Sequence, residues 1–139
     1  MSTNVFRSVL RTSVPGDHRT AGRVSYATSG NTLTILEGRL FTVARGSAGT
    51  FTVSFGQSTN AQFFKGLVSA NIECIVADPV TGTNANVRTA LLQSVNTNAT
   101  GSVTGFTFVT LNKSAVVADL ADGDQFTFET VTRDTEILA

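Results

Sequence analysis

Residues 39–55, RLFTVARGSAGTFTVSF, alternate apolar side chains with hydroxyls over two runs. In the second run Phe51, Val53 and Phe55 share one face, and Thr50, Thr52 and Ser54 share the other. A period of two, built from aromatic and β-branched residues against Thr and Ser, belongs to a half-buried strand. The link Arg45-Gly46-Ser47-Ala48-Gly49 is short, and its two glycines suit a turn with positive φ. The stretch is therefore expected to form a β-hairpin that lays a ridge of Phe and Val into a core. Phe106-Thr107-Phe108 and Phe126-Thr127-Phe128 repeat the same chemistry, so Phe51, Phe106 and Phe126 are expected core residues.

A chain of 139 residues suits one domain with a real core. Charged residues are only 14% and the formal net charge is zero. Phosphate neutralisation needs clustered Lys and Arg, so nucleic acid is not an expected partner. The surface is left to Thr, Ser, Asn and Gln. No run approaches the ~18 apolar residues of a membrane span, and the N-terminus lacks the apolar region of a signal peptide. The expectation is a protein made in a cytosol, with no membrane partner. Charge is uneven along the chain. Residues 1–45 carry six arginines against Asp17 and Glu37, a net of +4, and residues 114–139 carry six acids against Arg133, a net of −5. That asymmetry fits pairing between copies as well as neutralisation within one fold.

Residues 1–20 read as an arm. Val5, Phe6, Val9 and Leu10 are apolar, Arg7 and Arg11 stand among them, and Val14-Pro15-Gly16-Asp17 reads as a turn. So short a segment has no core of its own, and it is expected to dock on a partner surface or on the domain. From residue 21 to 139 the pattern is strands and turns. Val24-Ser25-Tyr26-Ala27 and Thr32-Leu33-Thr34-Ile35-Leu36 precede the hairpin. Residues 60–65 fit either one helical turn or an aromatic-bearing loop. Residues 67–77 form the longest apolar run and read as a central strand covered on both faces. Residues 87–95 fit a strand or a short helix. Residues 103–111 read as a strand in which Gly105 marks a bulge or a close contact. Residues 114–119 fit a helical turn, and residues 124–132 make the last long strand. About eight strands without a long helical pattern predict an all-β antiparallel sandwich or jelly roll with an N-terminal arm.

Candidate chemistry is sparse. A single cysteine, Cys74, excludes an intrachain disulfide, and its apolar neighbours suit a small buried hydrophobe. The single histidine, His18, sits beside a turn and is expected to face solvent. One His and one Cys do not make a zinc site, and pairing them as base and nucleophile would require the arm to reach a buried strand. No phosphate-binding glycine pattern occurs. Asp119, Asp122 and Asp124 around Gly123 suit either ordinary turn chemistry or a calcium site. Phe63 and Phe64 lie in an irregular region, and two arrangements fit. Both form an exposed contact patch, or one fills the core and the other caps its edge. The expectation is a protein that is not an enzyme and carries no cofactor.

The spacing Gly38-x-x-Phe41-Thr42, then Gly49-x-Phe51-x-Val53-Ser54-Phe55, resembles the C1q/TNF-like jelly-roll domains. Leu120-x-x-Gly123-Asp124-x-Phe126 is similar to the entry into their penultimate strand. The short, Thr-rich, Trp-free chain also resembles small bacteriophage virion proteins, namely capsid decoration (cement) proteins and the heads of fibres or spikes. What these resemblances imply is a structural protein of the virion, made in the host cytoplasm. They imply a homotrimer whose partner is the major capsid protein or another virion protein. Residues Val5, Phe6, Arg7, Val9, Leu10 and Arg11 would form the arm contact, and Phe63 and Phe64 a second surface contact. The alternative is a receptor- or glycan-binding head.

Overall fold

The computed structural model describes residues 17–57, 59–77 and 87–133. Nine strands occur among them: β1 (Asp17–Ala27), β2 (Thr32–Glu37), β3 (Phe41–Arg45), β4 (Thr50–Gln57), β5 (Asn60–Ala61), β6 (Gly66–Ile75), β7 (Thr89–Thr97), β8 (Val103–Leu111) and β9 (Gln125–Arg133). They form two antiparallel sheets, ordered β2-β1-β9-β6 and β3-β4-β8-β7, with the short β5 beside β4. The all-β antiparallel sandwich expected from the alternation is the fold.

The two Phe-Thr repeats and the hairpin end up side by side. In the second sheet Phe51 lies opposite Phe108, and Val53 opposite Phe106. Opposed residues of an antiparallel pair share a face, so all four point to the same interior. The first sheet answers with Val24, Tyr26, Phe126 and Phe128. Phe51, Phe106, Phe108 and Phe126 are fully enclosed. Their rings interlock across the sheets: Phe108 meets Phe126 edge-on at 4.9 Å, and Phe41 meets Phe128 edge-on at 4.8 Å. Such pairs add about 0.5–1.5 kcal/mol each beyond the area they bury. On the outer face of the hairpin sheet, Thr52 and Thr107 join hydroxyls at 3.1 Å, so the polar half of the alternation also finds partners.

Most polar groups that enter the interior are paired; the buried Arg133 Nε is not. Thr130 donates its hydroxyl to the Thr20 carbonyl at 3.1 Å, and Thr110 donates to the Ala118 carbonyl at 2.6 Å. Asp124 is enclosed, and its carboxylate accepts the backbone N–H of Ala77 at 3.0 Å and of Ala121 at 2.8 Å. A buried carboxylate needs such donors.

Several local expectations are revised. The sandwich starts earlier than residue 21: β1 begins at Asp17, and residues 17–20 pair with β9 from Asp17 opposite Arg133. They belong to the sheet and not to an arm. Residues 67–77 are not a central strand. β6 pairs only with β9 among the described residues and has exposed side chains on one face and half-exposed ones on the other. Residues 89–97 are a strand, β7, rather than a helix. Residues 114–119 do not form a helical turn. The Asn112 side-chain oxygen accepts the N–H groups of Ser114 and Val116, and Val117 returns to bridge Leu111. Of the two glycines in the hairpin link, only Gly49 takes a positive φ, +73°. Gly105 is a close contact beside an irregularity: a Cβ there would stand 2.0 Å from the Val53 carbonyl oxygen, and the β7–β8 register shifts at Asn96.

Candidate interaction surfaces

At one lateral border of the sandwich, β6 and β7 approach each other yet leave apolar side chains exposed. β6 closes the first sheet and β7 closes the second, and each has one unpaired edge among the described residues. Ile72 lies opposite Phe128 and Cys74 opposite Phe126, so both face the interior from β6. Leu92 lies opposite Phe108 and Val95 opposite Phe106, so both face it from β7. Yet Ile72 and Cys74 are only half-buried, and Leu92 and Val95 keep 39% and 43% of their surface exposed. Val68 and Ile75 on β6 and Leu91 on β7 are exposed as well. Two long free strand edges flanked by apolar side chains make a template for another chain. The Cys74 thiol sits against this side, and burial, with a smaller push from Asp124, raises its pKa to about 11.

A second apolar surface lies at the root of β1. A cleft of about 270 Å³ is lined by His18, Leu40, Phe55, Gln62, Phe63 and Phe64, among others. Phe64 is enclosed, its ring edge-on to Phe55 at 5.4 Å and tilted against His18 at 5.6 Å, whereas Phe63 is 55% exposed. Of the two arrangements expected for this pair, the divided one holds. Phe64 is a core residue and not a surface contact, and Phe63 remains on the surface. Leu40 is also exposed and takes φ +65°, a conformation that bulky residues rarely adopt. Its carbonyl accepts the Gly56 N–H at 2.7 Å, which holds that backbone in place.

The three aspartates of the last loop have separate occupations. Asp119 accepts Arg45 from β3 and the Gly49 N–H. Asp122 accepts the N–H and hydroxyl of Thr28, and Asp124 accepts the N–H groups of Ala77 and Ala121. Each carboxylate thus secures a different stretch of backbone, and only the Asp124 bond to Ala121 is local turn chemistry. Among the described residues no three His, Cys, Asp or Glu side chains gather as a set of metal ligands. No described helix is long and apolar enough to cross a membrane. His18 lies in β1 with its side chain exposed, and Cys74 belongs to β6, two strands away across β9 in the same sheet. The arm residues Val5, Phe6, Arg7, Val9, Leu10 and Arg11 lie outside the described residues.

Sequence reasoning missed the exposed β6–β7 border. Leu91, Leu92 and Val95 belong to a stretch that fits strand and helix equally. The signal that was present is the loss of alternation in both 67–77 and 87–95: apolar residues on both faces, which suits a central strand and a strand awaiting a partner equally well. No protein-family model, curated protein or solved structure matches the chain.

Proposed function

We propose that the chain is a structural virion protein, a decoration or cement protein that binds and stabilises a phage capsid shell. In this reading it associates with itself as a homotrimer, takes the major capsid protein or another virion protein as partner, and works without catalysis. The observation that carries the reading is the exposed β6–β7 side, where inner-face apolar residues and two strand edges await another protein surface. The strand order supports the jelly-roll form of the sandwich, because β9 enters between β1 and β6, and β8 between β4 and β7. A neutral, weakly charged surface also suits a subunit placed at high density among copies of itself.

The arm completes the proposal. Val5, Phe6, Val9 and Leu10 supply apolar contacts to the shell, and Arg7 and Arg11 pair with its carboxylates. An extended segment can add a strand to an exposed sheet edge and draw affinity from main-chain hydrogen bonds. Co-sedimentation of the purified protein with shells from the same source tests this directly. The full chain is expected to pellet with the shells. A chain lacking residues 1–14 is expected to keep its circular dichroism and thermal midpoint but to lose most of the bound fraction. Full occupancy by the truncated chain removes the arm from the account, and failure of the full chain to bind removes the shell.

One observation favours a second reading. Phe63 is exposed beside Gln62 in the cleft near His18, an aromatic next to an amide that suits the face of a sugar ring. A receptor- or glycan-binding head would use that cleft, and glycan-array binding lost on Phe63→Ala would support it.

A further inference from the structure

We infer that the exposed β6–β7 side of one copy is covered by the β2–β3 side of a second copy. The inference rests on the self-association proposed above and assigns it a surface.

The sandwich has two unequal lateral borders. One is β6 with β7, strands of ten and nine residues. The other is β2 with β3, strands of six and five residues, each also unpaired on its outer edge among the described residues. Both borders carry exposed apolar side chains: Leu91, Leu92 and Val95 on the first, Ile35 and Leu36 on the second. Ile35 lies opposite Val24, so it too faces the interior without being covered.

Charge distinguishes the borders. Arg39 stands exposed between β2 and β3, and Glu73 stands exposed on β6. Neither has an ion-pair partner among the described residues. An unpaired guanidinium on one border and an unpaired carboxylate on the other are complementary. The formal charge of zero leaves no net repulsion between copies. A contact between unlike borders is heterologous, and it closes into a ring when the rotation between copies allows. Such a ring covers both borders of every copy, which a two-fold contact through one border does not.

Sedimentation velocity across a concentration series tests the assignment, with circular dichroism to confirm that each variant keeps its strand content. The wild-type chain is expected to form a closed oligomer. Leu91→Asp, Glu73→Arg and Arg39→Glu are each expected to weaken it at least tenfold, and the double variant Glu73→Arg/Arg39→Glu to recover most of that loss. An oligomer indifferent to all of these substitutions overturns the pairing of these two borders and leaves self-association standing. A wild-type monomer at every concentration overturns both. If removal of residues 1–16 from that monomer then raises hydrogen exchange along β6 and β7, the N-terminal segment of the same chain is the cover.

Discussion

Arg45 and Asp119 hold the hairpin to the last loop across 74 residues of sequence. The Arg45 Nη2 donates to Asp119 Oδ2 at 2.6 Å and its Nε lies 3.2 Å from both carboxylate oxygens, while the Gly49 N–H donates to Oδ1 at 2.9 Å. The Arg45 hydrogen bond, aided by the Gly49 N–H and against the opposing effect of burial, holds the Asp119 carboxyl below the usual carboxylate range. A carboxylate whose folded pKa is depressed stabilises the fold above its unfolded pKa, and that contribution is lost as pH falls through the folded value. Asp119→Asn is therefore expected to lower stability at neutral pH and to flatten the fall in stability between about pH 5 and the more acid range. Urea titrations at a series of pH values measure it. Parallel curves for the two proteins would remove Asp119 from the acid response.

Gly105 is expected to resist any side chain. A Cβ there meets backbone, the Val53 carbonyl, so the neighbour has no rotamer to change. Gly105→Ala must spread the β4–β8 pair, at a cost of about 1–3 kcal/mol of the kind seen on overpacking. A thermal midpoint equal to wild type would contradict the register that sets Gly105 opposite Ser54.

Phe51, Phe106 and Phe126 each fill enclosed space between the sheets. Replacing any one with Ala is expected to cost about 3–5 kcal/mol. Denaturant midpoints check this, and a loss below about 1 kcal/mol at Phe126 would mean that β9 turns its other face inward.

Cys74 reports on the β6–β7 side. With its pKa raised to about 11, little thiolate exists at pH 8, and the greater nucleophilicity of a basic thiolate recovers only part of that loss. Reaction with an aromatic disulfide reagent is expected to run roughly tenfold slower than that of a free cysteine. A rate equal to free cysteine would place the thiol in water rather than against the core.

How far these features could be read from the residues follows from where their determinants lie. The hairpin, the Phe faces and the Gly123-Asp124 entry to β9 depend on local alternation and turn chemistry, which the sequence displays. The position of β6 does not. Whether an apolar strand lies at the centre or the border of a sheet is decided by pairing with residues far along the chain, in this fold Phe126 and Phe128. The division between Phe63 and Phe64 is similar, because the Phe64 bridge to Val103 fixes which ring turns inward. The three aspartates read as a cluster in sequence, yet their partners Gly49, Thr28 and Ala77 lie in three separate segments.

The most direct measurement is a cryo-EM reconstruction of the native virion at side-chain resolution. The account predicts density for this sandwich on the outside of the shell, in closed groups in which β6 and β7 of each copy meet β2 and β3 of the next, with residues 5–11 of each copy lying on a capsid subunit. Virions that lack the chain, or that carry it with the β6–β7 side turned to solvent, would contradict it.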